Sequence, residues 1–169
     1  ALYLVASVFE FIHSIFKSKT SQKVAIFASA LGLLSHTGYL IARGIIARRL
    51  PLSNQFEFAC CLAWGIVSLN LLLSVKLRGG RLGLVTLPLA FLIMSYAALL
   101  PREINDLMPA LRSAWFGIHI GSAVFAYAAF AIAGGLGVKF IVKRRKGLAL
   151  GDAEMVQLDH LSYRLIAFG

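Results

Sequence analysis

AWFGIHIGSAVFAYAAFAIAGGLGV, from Ala114 to Val138, runs for 25 residues without a Lys, Arg, Asp or Glu. At about 1.5 Å per residue, a helix of that length crosses the ~30 Å hydrocarbon layer of a bilayer. In lipid, each amide of a continuous apolar stretch must find its partner within its own segment. A membrane barrel would instead need shorter alternating strands, and none is visible. The stretch therefore reads as a transmembrane helix. Four more apolar runs share its character, at Ala1 to Phe16, Val24 to Ala42, Phe58 to Val75 and Leu82 to Leu100, and a sixth opens near Leu161. The expected fold is all-α: a polytopic transmembrane helix bundle of five spans plus the start of a sixth, forming one membrane-embedded domain over residues 1–169.

Composition points the same way. Of 169 residues, 59% are hydrophobic and 14% charged, and the mean hydropathy of +0.81 lies above what a water-soluble domain tolerates. A net charge of +10 suits a nucleic-acid binder in principle. Here the cations gather where apolar runs end: Lys17, Lys19 and Lys23; Lys76, Arg78 and Arg81; Lys143, Arg144, Arg145 and Lys146. That pattern faces lipid headgroups, so the partner is the lipid bilayer and no nucleic acid is expected. Cys60 and Cys61 are adjacent, form no CxxC and read as small hydrophobic residues of a helix.

The same cations orient the chain. The first, third and fifth connections hold at least ten Lys and Arg, against five in the second and fourth (Arg43, Arg48, Arg49, Arg102 and Arg112). The odd connections are expected in the cytoplasm and the even ones outside. The outward trio Arg43, Arg48 and Arg49 has two readings, snorkelling at a helix end or pairing with an anionic ligand. Asn54 and Glu57, three apart before an apolar run, fit a helix N-cap with a reciprocal acidic residue. In the fourth connection, Ile104, Leu107, Met108 and Leu111 suit a short amphipathic element on the membrane surface. The fifth, Lys139 to Arg164, reads as a polar cytoplasmic hairpin.

Few residues within the spans carry chemistry. His119 lies six residues inside the long run, within about 10 Å of the outer interface. An ionisable group at that depth is a functional candidate by default, either as a ligand or as a neutral imidazole bonded to a neighbouring helix. His36 shares a face of the second span with Ser29, Gly32 and Arg43. Such a stripe looks into the bundle as a cofactor contact or as a hydrogen-bonded link between helices, and position alone favours the link. Trp115 sits at the outer interface and Trp64 deeper, where it packs against a flat cofactor or fills the bundle, and position alone favours filling. His13 and His160 read as interfacial or solvated. Gly117 and Gly121, with Gly134, Gly135 and Gly137 below, let another helix approach closely. Phosphate-binding loops, dinucleotide fingerprints, zinc-protease signatures and nucleophile–base pairs are absent from the sequence.

Three stretches, in order, resemble the CcsA/ResC family of cytochrome c biogenesis proteins. They are Pro51-Leu52-Ser53-Asn54-Gln55-Phe56-Glu57; Pro109 to Ile120 with Ala126-Tyr127-Ala128-Ala129; and Leu158-Asp159-His160-Leu161-Ser162-Tyr163-Arg164. The resemblance implies a multi-pass haem-handling protein of a bacterial cytoplasmic or thylakoid membrane. It implies a ResB/CcsB-like membrane partner, haem b as substrate and ligand, and attachment of haem to apocytochrome c on the outer side. It places His119 as an axial ligand of the haem iron. From position, Trp115 and His36 are further cofactor-binding candidates, and from charge and side so are Arg43, Arg48 and Arg49, the arginines toward the propionates. No catalytic residue is expected in the chain by itself. Phe56 departs from the tyrosine usual at its place in the family. The family's Trp-rich outer motif and second outward histidine would follow Leu161, so the chain is expected to be part of a longer protein. The alternatives are a HemX-like membrane protein affecting haem synthesis, and a small-solute transporter whose intramembrane histidine relays protons. A transporter predicts an internal repeat with broken helices, and no convincing self-similarity is present.

Overall fold

A computed structural model describes residues 1–76, 82–104 and 113–169. Its six helices are α1 (Leu2–Phe16), α2 (Lys19–Ala47), α3 (Gln55–Lys76), α4 (Gly83–Ala98), α5 (Ala114–Arg145) and α6 (Ala153–Phe168), and the described residues form no strand. Three helices are long and apolar enough to cross a membrane: Lys19–Ala47, Gln55–Ser74 and Trp115–Arg145. The expected spans at Ala1 to Phe16 and Leu82 to Leu100 form shorter apolar helices of 15 and 16 residues. The surface element expected around Leu107, Met108 and Leu111 lies outside the described residues, as do Arg78, Arg81 and Arg112.

The helices pair as hairpins, α1 with α2, α3 with α4 and α5 with α6, and α3 stands at the centre against α2, α4 and α5. Packing follows small residues. Ala63, Ile66 and Val67 of α3 meet Ala6, Ala28, Leu87, Ala90 and Ala128 in one core. At the α3–α5 crossing, a Cβ on Gly65 would stand 3.2 Å from Val124 and 3.4 Å from Ala128. The glycines expected to admit a helix behave differently. Gly117 faces the Leu50 side chain and Gly121 faces open space, whereas Gly135 alone of the lower trio touches a helix, at Val85 of α4.

Two termini show why the elements end where they do. Ser18 and Ser113 each accept a backbone N–H from the residue three further on, Ser21 and Phe116, which caps α2 and α5. Lys17 (φ 50°) and Arg48 (φ 52°) close α1 and α2 in the left-handed region.

The fifth connection is shorter than expected. α5 continues to Arg145 and α6 begins at Ala153, eight residues before Leu161. The reason is amphipathicity: Met155, Leu158 and Leu165 are buried at helical spacing, Leu158 and Leu165 against Ile132 and Leu136 of α5. On the polar side Glu154 meets Lys143 at 2.5 Å and Lys139 at 3.7 Å.

Candidate functional site

The candidates gather at the end of the bundle where α2 gives way to α3, here termed the Pro51 end. α5 starts at the same end, because Gly117 packs against Leu50. His119 and Trp115 therefore share an end with Arg43, Arg48 and Arg49.

At that end stands a buried ionic node that the sequence only half disclosed. Asn54 caps α3 as expected, its Oδ1 accepting the Glu57 N–H at 2.8 Å. The reciprocal acid does not return to Asn54. The Glu57 carboxylate, with 0% exposure, accepts from Ser53 N–H at 2.8 Å and Ser53 Oγ at 2.9 Å. It also accepts from Arg43 Nε at 2.9 Å and Arg49 Nη1 at 2.8 Å. Arg43 then donates through Nη1 to the Arg102 carbonyl at 3.0 Å and through Nη2 to the Glu103 carbonyl at 3.3 Å. All three guanidinium nitrogens of Arg43 are thus bonded within the protein, and its face lies 4.9 Å from the Phe56 ring centroid. Of the three arginines, Arg48 is the exposed one, and among the described residues it forms no ion pair. The sequence signal was a glutamate at the mouth of an apolar run opposite an outward basic cluster; the pairing partners were not readable from it.

His36 is 7% exposed and its Nδ1 lies 3.0 Å from the Tyr3 hydroxyl. The stripe expected on α2 is buried throughout, at Ser29, Gly32, His36 and Arg43. Gly32 makes room for Tyr3, since a Cβ there would stand 2.9 Å from the ring. The structure thus forms the helix-to-helix link, between α1 and α2, and leaves Nε2 of the imidazole without a partner among the described residues. Trp64 fills the bundle as expected, donating from Nε1 to Thr37 Oγ1 at 2.8 Å and meeting Phe125 edge-on. His13 is buried, not solvated, with Nδ1 2.8 Å from the Ser18 carbonyl, and His160 is exposed.

On α5 the exposed residues Trp115 (78% exposed), Ile118, His119 and Ser122 succeed one another at helical spacing. Beside them, between α2 and α5, is an apolar cavity of about 520 Å³ whose walls include Gly44, Leu50, Cys61, Trp64 and Gly121. His119 and His36 are not brought together. His36 lines a separate cavity on the side of α1 and α4.

Residues 52–169 match the family described as "Cytochrome C assembly protein". The chain belongs to the cytochrome c assembly protein family. Its relatives within cytochrome c assembly include the "Cytochrome c biogenesis protein CcsA" of Synechococcus elongatus, 39% identical over 82% of this chain and 46% of that protein. The CcsA of Prochlorococcus marinus is 30% identical over 92% of this chain and 60% of its own length. That of Adiantum capillus-veneris is 36% identical over 65% of this chain and 34% of its own. The chain spans about half the length of the curated relatives it matches. As a cytochrome c assembly protein with three long apolar helices, it is a multi-pass membrane protein of cytochrome c biogenesis.

Proposed function

We propose that the chain handles haem b at the outer membrane face for covalent attachment to apocytochrome c, with His119 supplying one axial bond to the iron. The observation that supports this most directly is the exposed row Trp115, Ile118, His119 and Ser122 at the Pro51 end of an apolar helix, in a chain of this family. Lysine and arginine counts orient that end away from the cytoplasm. The row offers an indole, an aliphatic side chain and an imidazole on one face, which suits a flat macrocycle, and Gly121 leaves space beside it. A neutral imidazole binds haem iron through one ring nitrogen.

Haem is substrate here, held in place while its vinyl groups meet the cysteine thiols of the apocytochrome. The protein contributes position and orientation, and the bond-forming chemistry is largely the porphyrin's. Arg48, exposed and outside the Glu57 node, is the arginine of the trio best placed to meet a propionate. A ResB/CcsB-like membrane protein completes the assembly, in a bacterial cytoplasmic or thylakoid membrane. The five apolar helices of α1 to α5 all lie in the bilayer in this reading, and a sixth span opens near Leu161, with the start of α6 around Glu154 on the cytoplasmic side.

The test is spectroscopic. The full-length protein and its His119→Ala and His119→Gly variants are purified and their haem spectra recorded with and without imidazole. Both variants are expected to lose most of their haem, and added imidazole to restore the spectrum of His119→Gly. Unchanged haem content and spectrum would remove His119 from the site.

A further inference from the structure

α1, α2 and α4 flank a cleft of about 590 Å³ that reaches down to the buried Phe56, Cys60 and Ala97. Its opening lies where Ser35 and Tyr39 of α2 and Ser95 and Ala98 of α4 are exposed along the flanks of apolar helices. Both serine hydroxyls donate within their own helices, Ser35 to the Leu31 carbonyl and Ser95 to the Phe91 carbonyl, each at 2.9 Å. The opening therefore presents hydrocarbon, and access is sideways, from the acyl-chain layer.

One corner of the cleft is charged, and the ring of Phe56 organises it. The Arg43 guanidinium lies 4.9 Å from the ring centroid and that of Arg102 5.9 Å, while Tyr39 meets the ring edge-on at 6.4 Å. Arg43 has every guanidinium nitrogen bonded within the protein. Arg102 does not: it is exposed, it donates from Nη2 to the Ala98 carbonyl at 3.3 Å, and its Nε and Nη1 have no partner among the described residues. The Tyr39 hydroxyl is also without one among them. The corner is short of negative charge, since among the described residues Arg43, Arg49 and Arg102 stand against the carboxylates of Glu57 and Glu103. Arg102 lies four residues past the end of α4 at Ala98, the level at which a span meets the headgroups.

An apolar cleft open to hydrocarbon, with an unneutralised guanidinium and a phenol at one corner, has the polarity of a lipid molecule. We propose that it is a binding site for one anionic phospholipid of the leaflet at the Pro51 end, an acyl chain lying in the cleft and the phosphate accepting from Arg102 and Tyr39. Guanidinium and phosphate pair through parallel N–H donors, and basic pockets between membrane helices hold anionic headgroups by the same chemistry. A zwitterionic lipid fills the cleft equally well but brings its own cation to a corner already in excess of positive charge. Haem fits less well. The imidazole on the wall has Nδ1 at the Tyr3 hydroxyl and Nε2 closed to solvent, so neither nitrogen reaches an iron in the cleft. The site depends neither on the haem site proposed at His119 nor on which side of the membrane the Pro51 end faces.

The test uses the full-length protein in detergent micelles, titrated with phosphatidylglycerol or with phosphatidylcholine of the same acyl chains and read by native mass spectrometry. The first phosphatidylglycerol retained is expected to be held about tenfold more tightly than phosphatidylcholine. Arg102→Gln should remove that preference, Arg102→Lys should keep part of it, and Tyr39→Phe should reduce it by a smaller factor. Ser95→Trp, which fills the opening, should abolish the first adduct of both lipids. Thermal unfolding and haem content, expected to stay near wild type, report that each variant is folded. Equal retention of the two lipids overturns the proposal, as does a preference that survives Arg102→Gln, which puts the lipid at the basic clusters of the opposite end. Displacement by millimolar inorganic phosphate overturns it too, since the corner then binds an anion without the cleft. Loss of the haem spectrum from Arg102→Gln also overturns it, because the corner then holds a propionate; loss from His119→Gly alone leaves it standing.

Discussion

Arg43 donates from Nε to Oε1 of Glu57 at 2.9 Å, across 14 residues of chain, onto a carboxylate with no exposed surface. Two guanidinium groups share that one acid, and removing it takes the charged acceptor from both. Glu57→Ala is therefore expected to destabilise by about 3–5 kcal/mol, the range for breaking a buried pair from one side. Glu57→Gln, which keeps some hydrogen bonds, should cost less. Thermal unfolding of the detergent-solubilised protein measures both, and a midpoint within experimental error of wild type would refute a structural role for the node.

Gly32 and Tyr3 make a second case. A Cβ at Gly32 would stand 2.9 Å from the Tyr3 ring, so Gly32→Ala should push the ring from His36 and cost about 1–3 kcal/mol. Tyr3→Phe keeps the ring and removes only the hydroxyl, for about 1 kcal/mol. Both changes act through one contact, so the double variant should fall short of additivity. A fully additive double-mutant cycle would show that the two residues are uncoupled.

Arg48 holds φ 52°, where a side chain costs what glycine does not. Arg48→Gly is expected to raise stability by about 1 kcal/mol while lowering haem retention, because the exposed guanidinium is lost. Unfolding midpoint and haem absorbance, read on one sample, should move in opposite directions. A drop in both would mean that Arg48 supports the fold by a contact of its own.

The α5–α6 turn should respond to acid. The hydrogen bond from Lys143 holds the Glu154 carboxyl below its ordinary range. For a group whose folded pKa is depressed, the stabilisation is present above the unfolded value and is lost as pH falls through the folded one. The half-exposed site keeps the effect small and salt-sensitive. A spin label at Gln157 should gain mobility below the normal carboxylate range, and Glu154→Gln should show that mobility at every pH. A label insensitive to both changes would argue that apolar packing alone fixes α6.

How much of this was legible in the sequence varies by residue. The apolar runs that became α2, α3 and α5 were plain from length and lack of charge, and the buried stripe Ser29, Gly32, His36 and Arg43 from helical spacing. The first half of α6, before the segment expected to open near Leu161, was hidden because its composition is polar; only Met155, Leu158 and Leu165 carry the buried face. The node on Glu57 was half visible, since the cap by Asn54 is local, whereas the bonds to Arg43 and to the backbone at 102 and 103 join segments that only tertiary packing unites. Tyr3 was missed entirely, as nothing in a run of apolar residues marks which aromatic ring will meet a histidine 33 positions on.

The bonding of Arg43 reaches beyond the residues that make it. One guanidinium grips the backbone just after Pro101, and the acid it shares with Arg49 grips the backbone at Ser53. The backbone at residue 53 is thereby tied to that at 102 and 103 through three side chains, so the mouth of α3 keeps its distance from the end of α4 without any direct main-chain bond between them.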